Sequence, residues 1–196
     1  MNPGLNVARF NLGGALREKG DLENAARELR QVVQHSPKWT EARYELGITL
    51  ARLGKLQEAC REYREAIRRN PAFAPARQGL AEALFSLRQT DEAIEQLHEV
   101  LKTDPQNIVA RYTLALYSLK ANRIPSAIEE LKVILNDKPD FALAHNLLGV
   151  VYARSGNNIA AEGEFREAIR LDPGLMEAQN DLKLALEGAK KDGPNR

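Results

Sequence analysis

A single cysteine, Cys60, leaves this chain without a partner for an internal disulfide or a thiolate metal cluster. No apolar run approaches the length needed to span a bilayer, and the first residues lack the charged-then-apolar pattern of a secretory signal. The cytoplasm is therefore the default expectation for localisation, although a chain trimmed of its leader would read the same. Neither sign of charge is in excess. With 28 Lys and Arg against 27 Asp and Glu, there is no general attraction to nucleic acid or to an anionic membrane. The signatures of chemistry are missing as well. There is no Walker-type phosphate loop, and no GxGxxG follows a predicted strand; Leu12-Gly13-Gly14-Ala15 falls inside a predicted helix. His35, His98 and His145 are scattered, and acidic pairs such as Asp91-Glu92 and Glu129-Glu130 read as solvated helix faces, not as general acid–base pairs. With no nucleophile–base constellation, neither catalysis nor a metal or cofactor is expected.

What the chain does have is a period. Pro3, Pro37, Pro71, Pro105, Pro139 and Pro173 stand 34 residues apart. Leucine keeps the same interval at Leu12, Leu46, Leu80, Leu114, Leu148 and Leu182. Alanine does so twice, at Ala8, Ala42, Ala76, Ala110, Ala144 and Ala178, and again at Ala25, Ala59, Ala93, Ala127 and Ala161. Four series in one register mark an internal repeat, and hence an array of stacked units and not a globule around one core.

Each full unit predicts two helices. In the second, Ala42, Leu46, Leu50 and Leu53 form one apolar stripe, Gly54 ends the helix, and Ala59, Tyr63, Ala66 and Ile67 stripe the next. Asn70-Pro71 stops that helix, because proline restricts the residue before it and donates no hydrogen bond. Asp21 and Asn157 or Asn158 suit helix N-caps, and Pro125 suits a first turn. Gly13, Gly47, Ala81, Ala115 and Gly149 share a register on the first helices. Opposite them stand the bulky Leu29, Tyr63, Leu97, Leu131 and Phe165, so close approach of the two helices is expected there. Cys60 takes the place of Ile94 and Ile128 and reads as an apolar filler.

The pattern resembles the tetratricopeptide repeat (TPR) family. The resemblance is carried by Leu12-Gly13, Leu46-Gly47 and Leu148-Gly149, by turn glycines Gly20, Gly54 and Gly156, by the second alanine series and by the terminal prolines. Ala81 and Ala115 depart from the usual glycine, and Arg88 and Asn122 from the turn glycine. The resemblance implies an all-α, right-handed superhelical solenoid of antiparallel helix pairs. Its five repeats are expected at 6–39, 40–73, 74–107, 108–141 and 142–175, followed by a capping helix at 176–191 and a disordered tail at 192–196. Lys183 at the small-residue register fits a cap with a solvated outer face. Residues 1–5, with Asn2-Pro3-Gly4 in the register of Asp172-Pro173-Gly174, read as the end of a preceding repeat.

The resemblance also implies a groove lined by first helices that binds peptides or protein segments, and no chemistry. Projection of those helices places Phe10, Tyr44, Ile48, Arg52, Phe85, Tyr112, Leu116, Leu119, Lys120, Asn146, Val150 and Arg154 along it. Arg52, Lys120 and Arg154 share one register and predict a basic rail. The carboxylate clamp of chaperone-binding relatives is absent, since its places hold Phe10, Gly14, Glu45, Pro75 and Gly79. So is an asparagine ladder, whose register reads Asn11, Glu45, Gly79, Thr113 and Leu147. A ladder of Arg9, Arg43, Arg77 and Arg111, continued by His145 and Gln179, is expected to cover apolar edges and pair with glutamates. Trp39, Phe73, Phe141 and Leu175 are expected to fill the corners between repeats. The leading reading is a non-enzymatic scaffold or adaptor that holds a protein segment with apolar anchors, extended or helical, with or without acidic residues. Two other readings stand beside it: a regulatory or substrate-recruiting array cut from a larger enzyme, and a module that assembles with copies of itself.

Overall fold

The computed structural model describes residues 3–191, and the side chains of 4–187. Within them lie eleven helices and no strand: α1 Pro3–Glu18, α2 Leu22–His35, α3 Thr40–Arg52, α4 Leu56–Arg69, α5 Ala74–Ser86, α6 Thr90–Thr103, α7 Ile108–Lys120, α8 Ile124–Asp137, α9 Ala142–Arg154, α10 Asn158–Leu171 and α11 Met176–Lys191. The odd-numbered helices are the first helices of the sequence repeat and the even-numbered ones the second. Residues 3–5, assigned by the proline register to an earlier repeat, lie in α1. The residues expected to form a tail, 192–196, fall outside the described residues.

The chain forms two compact units, one ending at Gln106 and one beginning at Asn107. In the first, each helix of α1 to α5 packs on the next and α5 on α6, while the first helices α1, α3 and α5 also lie side by side. The second repeats the plan with α7 to α11, and α9 touches both α7 and α11.

The period follows from how each helix ends. The residues around Pro37, Pro71, Pro139 and Pro173 close a turn that leads into the following helix: the Trp39 N–H donates to the Ser36 carbonyl at 3.0 Å, Phe73 to Asn70 at 3.0 Å, Phe141 to Lys138 at 3.2 Å and Leu175 to Asp172 at 3.1 Å. Proline fits the second position of such a turn because its ring presets φ. Trp39, Phe73 and Phe141 are N-cap residues without a side-chain cap; Asn107, at the same register, accepts from the Ala110 N–H at 3.0 Å. Asp21 and Asn157 cap α2 and α10.

First helices end in one motif throughout. The Gly54 and Lys55 N–H groups donate back to Ala51 and Leu50, and Gly20 with Asp21 and Gly156 with Asn157 repeat the pattern. This closure requires a left-handed residue. Arg88 and Asn122, which replace glycine there, keep the closure and adopt φ of 64° and 60°.

The small-residue register does what the pattern demands. A Cβ on Gly47 would stand 2.5 Å from the Tyr63 ring, one on Gly13 2.7 Å from Leu29, and one on Gly149 2.6 Å from Phe165. These bulky partners are almost fully buried, as are Leu46, Leu80, Leu114 and Leu148. Leu12 shares the register of those four leucines yet is 48% exposed, and Ala8 is exposed where Ala42 to Ala178 are buried. The face that α3, α5 and α9 turn toward a preceding second helix is thus uncovered on α1.

Two stability predictions follow from this packing. Gly47→Leu, driven into the Tyr63 ring, is expected to cost roughly 1–3 kcal/mol; a thermal melt superimposable on the parent's would contradict the close contact. Arg88→Gly removes a side chain from a left-handed position and is expected to stabilise by about 0.5–1 kcal/mol. A fall in denaturation midpoint would show that Arg88 has a compensating role.

Candidate functional site

The first-helix face is assembled from side chains at the second, fifth, ninth and thirteenth places of each repeat. Its aromatics are shared with the corners. Phe10 stacks on Trp39 with centroids 4.7 Å apart, Tyr44 meets Phe73 edge-on at 5.3 Å, and Tyr112 lies against Phe141 at 6.0 Å. Each of the three is half-buried, with one surface on the corner and the other left open. Ile48 and Phe85 are half-buried in the first unit; Leu116 and Val150 pack at the edge of the second unit's core.

The structure qualifies two expectations. Leu119 is only 3% exposed and belongs to the core formed by α7, α8 and α9. It stands at the border of the face, and an apolar side chain there turns inward from water. The rail of basic residues is also less available than its register suggests. The Arg52 guanidinium donates to the Arg17 carbonyl at 3.2 Å, and Arg154 to Leu119 at 3.2 Å. Each caps the last turn of the preceding first helix, where orphan carbonyls carry partial negative charge. Arg52, Arg154 and Lys120 remain exposed. Asn146 is 8% exposed, with its Oδ1 left without a partner.

In the first unit the face opens into a pocket of about 210 Å³ between α3 and α5. Tyr44, Ile48 and Pro75 give it apolar walls, while Arg52, Gln78 and Glu82 supply polar edges. Gly79 and Tyr63 complete it. Tyr63 comes from the second helix α4 and reaches the first-helix face because Gly47 and Gly79 have no side chains to stop it; a Cβ on Gly79 would sit 2.7 Å from its ring. Burial pushes the Tyr63 phenol above its ordinary range, with Tyr44, Glu82 and Glu45 adding to the effect, so the hydroxyl stays protonated. The sequence reading missed this role for Tyr63. The signal lay in Gly79, two positions before the small series and occupied by glycine in the third repeat only.

The arginine ladder faces elsewhere and is consumed by structure. Arg43 donates to the Glu62 carboxylate at 2.9 Å and to the Pro37 carbonyl at 3.2 Å. Arg77 repeats this with Gln96 and Pro71, and His145 with Glu164 at 2.7 Å and Pro139 at 2.9 Å. Arg9 pairs with Glu28 and Arg111 with Glu130. Gln179 makes the corresponding bond to Pro173, at 2.7 Å. Among the described residues no group of three or more His, Cys, Asp or Glu could hold a metal ion, and no helix is long and apolar enough to cross a membrane.

Models of the tetratricopeptide repeat match residues 7–38, 44–108, 84–150 and 142–175. The chain is a tetratricopeptide repeat protein. This TPR protein is similar in fold to a TPR protein from Parabacteroides merdae, at 20% identity and TM-score 0.85 over 93% of this chain and 72% of that one. It is similar to MamA from Desulfovibrio magneticus, at 23% and 0.79 over 87% and 96%. It also resembles YrrB, described as a TPR protein with an unusual peptide-binding site, at 20% and 0.75 over 89% and 90%. Comparison with curated protein sequences gives no match. TPR repeats serve as protein-interaction scaffolds, typically without catalytic activity, and the chain is of that general kind.

The ladder can be separated from the face by substitution. Arg43→Leu removes two polar contacts made by partly buried groups and is expected to cost about 1–2 kcal/mol in chemical denaturation. A variant as stable as the parent would reopen the ladder as a docking stripe.

Proposed function

We propose that this TPR protein is a non-enzymatic adaptor whose first-helix face binds a segment of another protein through apolar anchors. The observation that carries the reading is a contrast between two rows of side chains. The ladder row is engaged with glutamates and proline-loop carbonyls, whereas the face keeps Tyr44, Ile48, Tyr112, Leu116 and Val150 only half-covered. Aromatic groups with one surface fixed and one open supply contact area at little cost in side-chain entropy. Exposed apolar area of this kind marks interaction sites. YrrB, a fold relative with a peptide-binding site, is in keeping with the reading.

The test is selection of random dodecapeptides on the immobilised protein. Affinities of the selected peptides are then compared for the parent and a Tyr44→Ala/Tyr112→Ala/Leu116→Ala variant of matched helicity. Loss of roughly tenfold or more is expected on truncating such anchors. Selected peptides that bind parent and variant equally would move the binding surface off the first-helix face.

A further inference from the structure

Tyr63 is singular among the bulky residues of its register. Leu29, Leu97, Leu131 and Phe165 end in hydrocarbon, while Tyr63 carries a hydroxyl to the floor of the pocket between α3 and α5. The residue is 3% exposed, so its ring is fixed by packing. A Cβ on Gly79 would stand 3.1 Å from that oxygen, which fixes where the hydroxyl emerges. Its ring contact with Tyr44 is tilted, at 6.0 Å. Among the described residues the hydroxyl makes no hydrogen bond. A donor held rigid, free of protein partners and open to a recess is a place where a ligand atom can replace water.

The rim narrows the class of ligand. Glu82 is exposed and presents a carboxylate that accepts hydrogen bonds, and Arg52 across the pocket is a cation. A carboxylate in the pocket would be attracted by Arg52 and repelled by Glu82, so the hydration it loses is not offset. An ammonium or guanidinium meets the opposite balance, attracted by Glu82 and repelled by Arg52, and it can use the Tyr63 oxygen only as an acceptor, leaving the O–H undonated. An apolar tip would leave that hydroxyl unpaired. A carboxamide is neutral, and it carries both an acceptor for Tyr63 and two donors for Glu82. Its methylene stem would lie between Tyr44, Ile48 and Pro75.

We propose that this pocket is a specificity subsite for a glutamine or asparagine side chain of the bound segment. The assignment rests on the reading of the first-helix face as the binding surface. The Tyr63 hydroxyl donates to the amide oxygen, and the amide nitrogen donates to Glu82.

The experiment is an NMR titration of the isotope-labelled full chain with three capped tripeptides, Gly-Gln-Gly, Gly-Glu-Gly and Gly-Leu-Gly. Backbone signals of Gly79 and Gln78 report on the pocket. The glutamine peptide is expected to shift them in a saturable way, and roughly five- to tenfold more tightly than the other two, as one well-placed hydrogen bond allows. Tyr63→Phe should erase that preference while leaving the melting curve unchanged, because Phe165 fills the same register over Gly149 in this very chain. Three results would overturn the subsite: equal shifts by all three peptides, a glutamine preference that survives Tyr63→Phe, or no shift at Gly79. If first-helix signals such as those of Ile48 and Phe85 still move, the binding face stands and only the carboxamide assignment fails. Shifts confined to second helices would sink both.

Discussion

The contact between a small residue on each first helix and a bulky one on the second is the constraint from which the rest follows. Gly47 leaves no room even for a Cβ against Tyr63, and Gly13 and Gly149 repeat that geometry with Leu29 and Phe165. Close approach sets the spacing of each pair and buries the alanine registers around it almost completely. It also decides which side chains are left over. Once the seam between helices is fixed, the face of the first helix turned away from it cannot be covered by its own pair. Whatever stands there is half-buried at most, unless a neighbouring repeat supplies cover. The apolar character of that face is thus free to vary with function, while the seam is not.

Polar groups are arranged around the same seam. The ladder residues from Arg9 to His145 tie the first helix to the second helix of its pair, and Arg43, Arg77, His145 and Gln179 bond the proline carbonyl six residues back. Arg52 and Arg154 tie one repeat to the one before it through a helix C-terminus. The hydrogen bonds join backbone groups that the turns would otherwise leave open, so they set the angle between elements more than they add to net stability. One row of cations closes loops and another closes helix ends, which leaves charge on this protein serving mainly its own geometry.

The sequence made the repeat, the helix boundaries and the small-against-large seam legible, because each depends on one residue type at a fixed interval. Gly20, Gly54 and Gly156 stand where first helices end, as turn glycines should. The structure adds that Arg88 and Asn122 obey the same backbone without glycine's freedom, since the packed helices on either side outweigh one strained φ. Leu119 was misplaced because a helical projection assigns faces by angle alone. At the border of a face, the neighbouring volume decides, and α7 has core on that side. The engagement of the rail was hidden for a similar reason: register shows that Arg52 and Arg154 align, but not that a carbonyl of the preceding helix lies within reach.

The pocket under Tyr44 was illegible for a different reason. It depends on a residue from a second helix appearing on the first-helix face, which no single-helix projection anticipates. Tyr63 can do so only where two glycines stand at two different registers, Gly47 in its own pair and Gly79 in the next. Glu45, Thr113 and Leu147 occupy the Gly79 register elsewhere, and none leaves that space. The array therefore opens a local, polar-lined pocket where Tyr63 in the seam meets Gly79 outside it. Specificity in such an array need not come from new loops or insertions. It can come from a single missing side chain that lets the interior reach the surface.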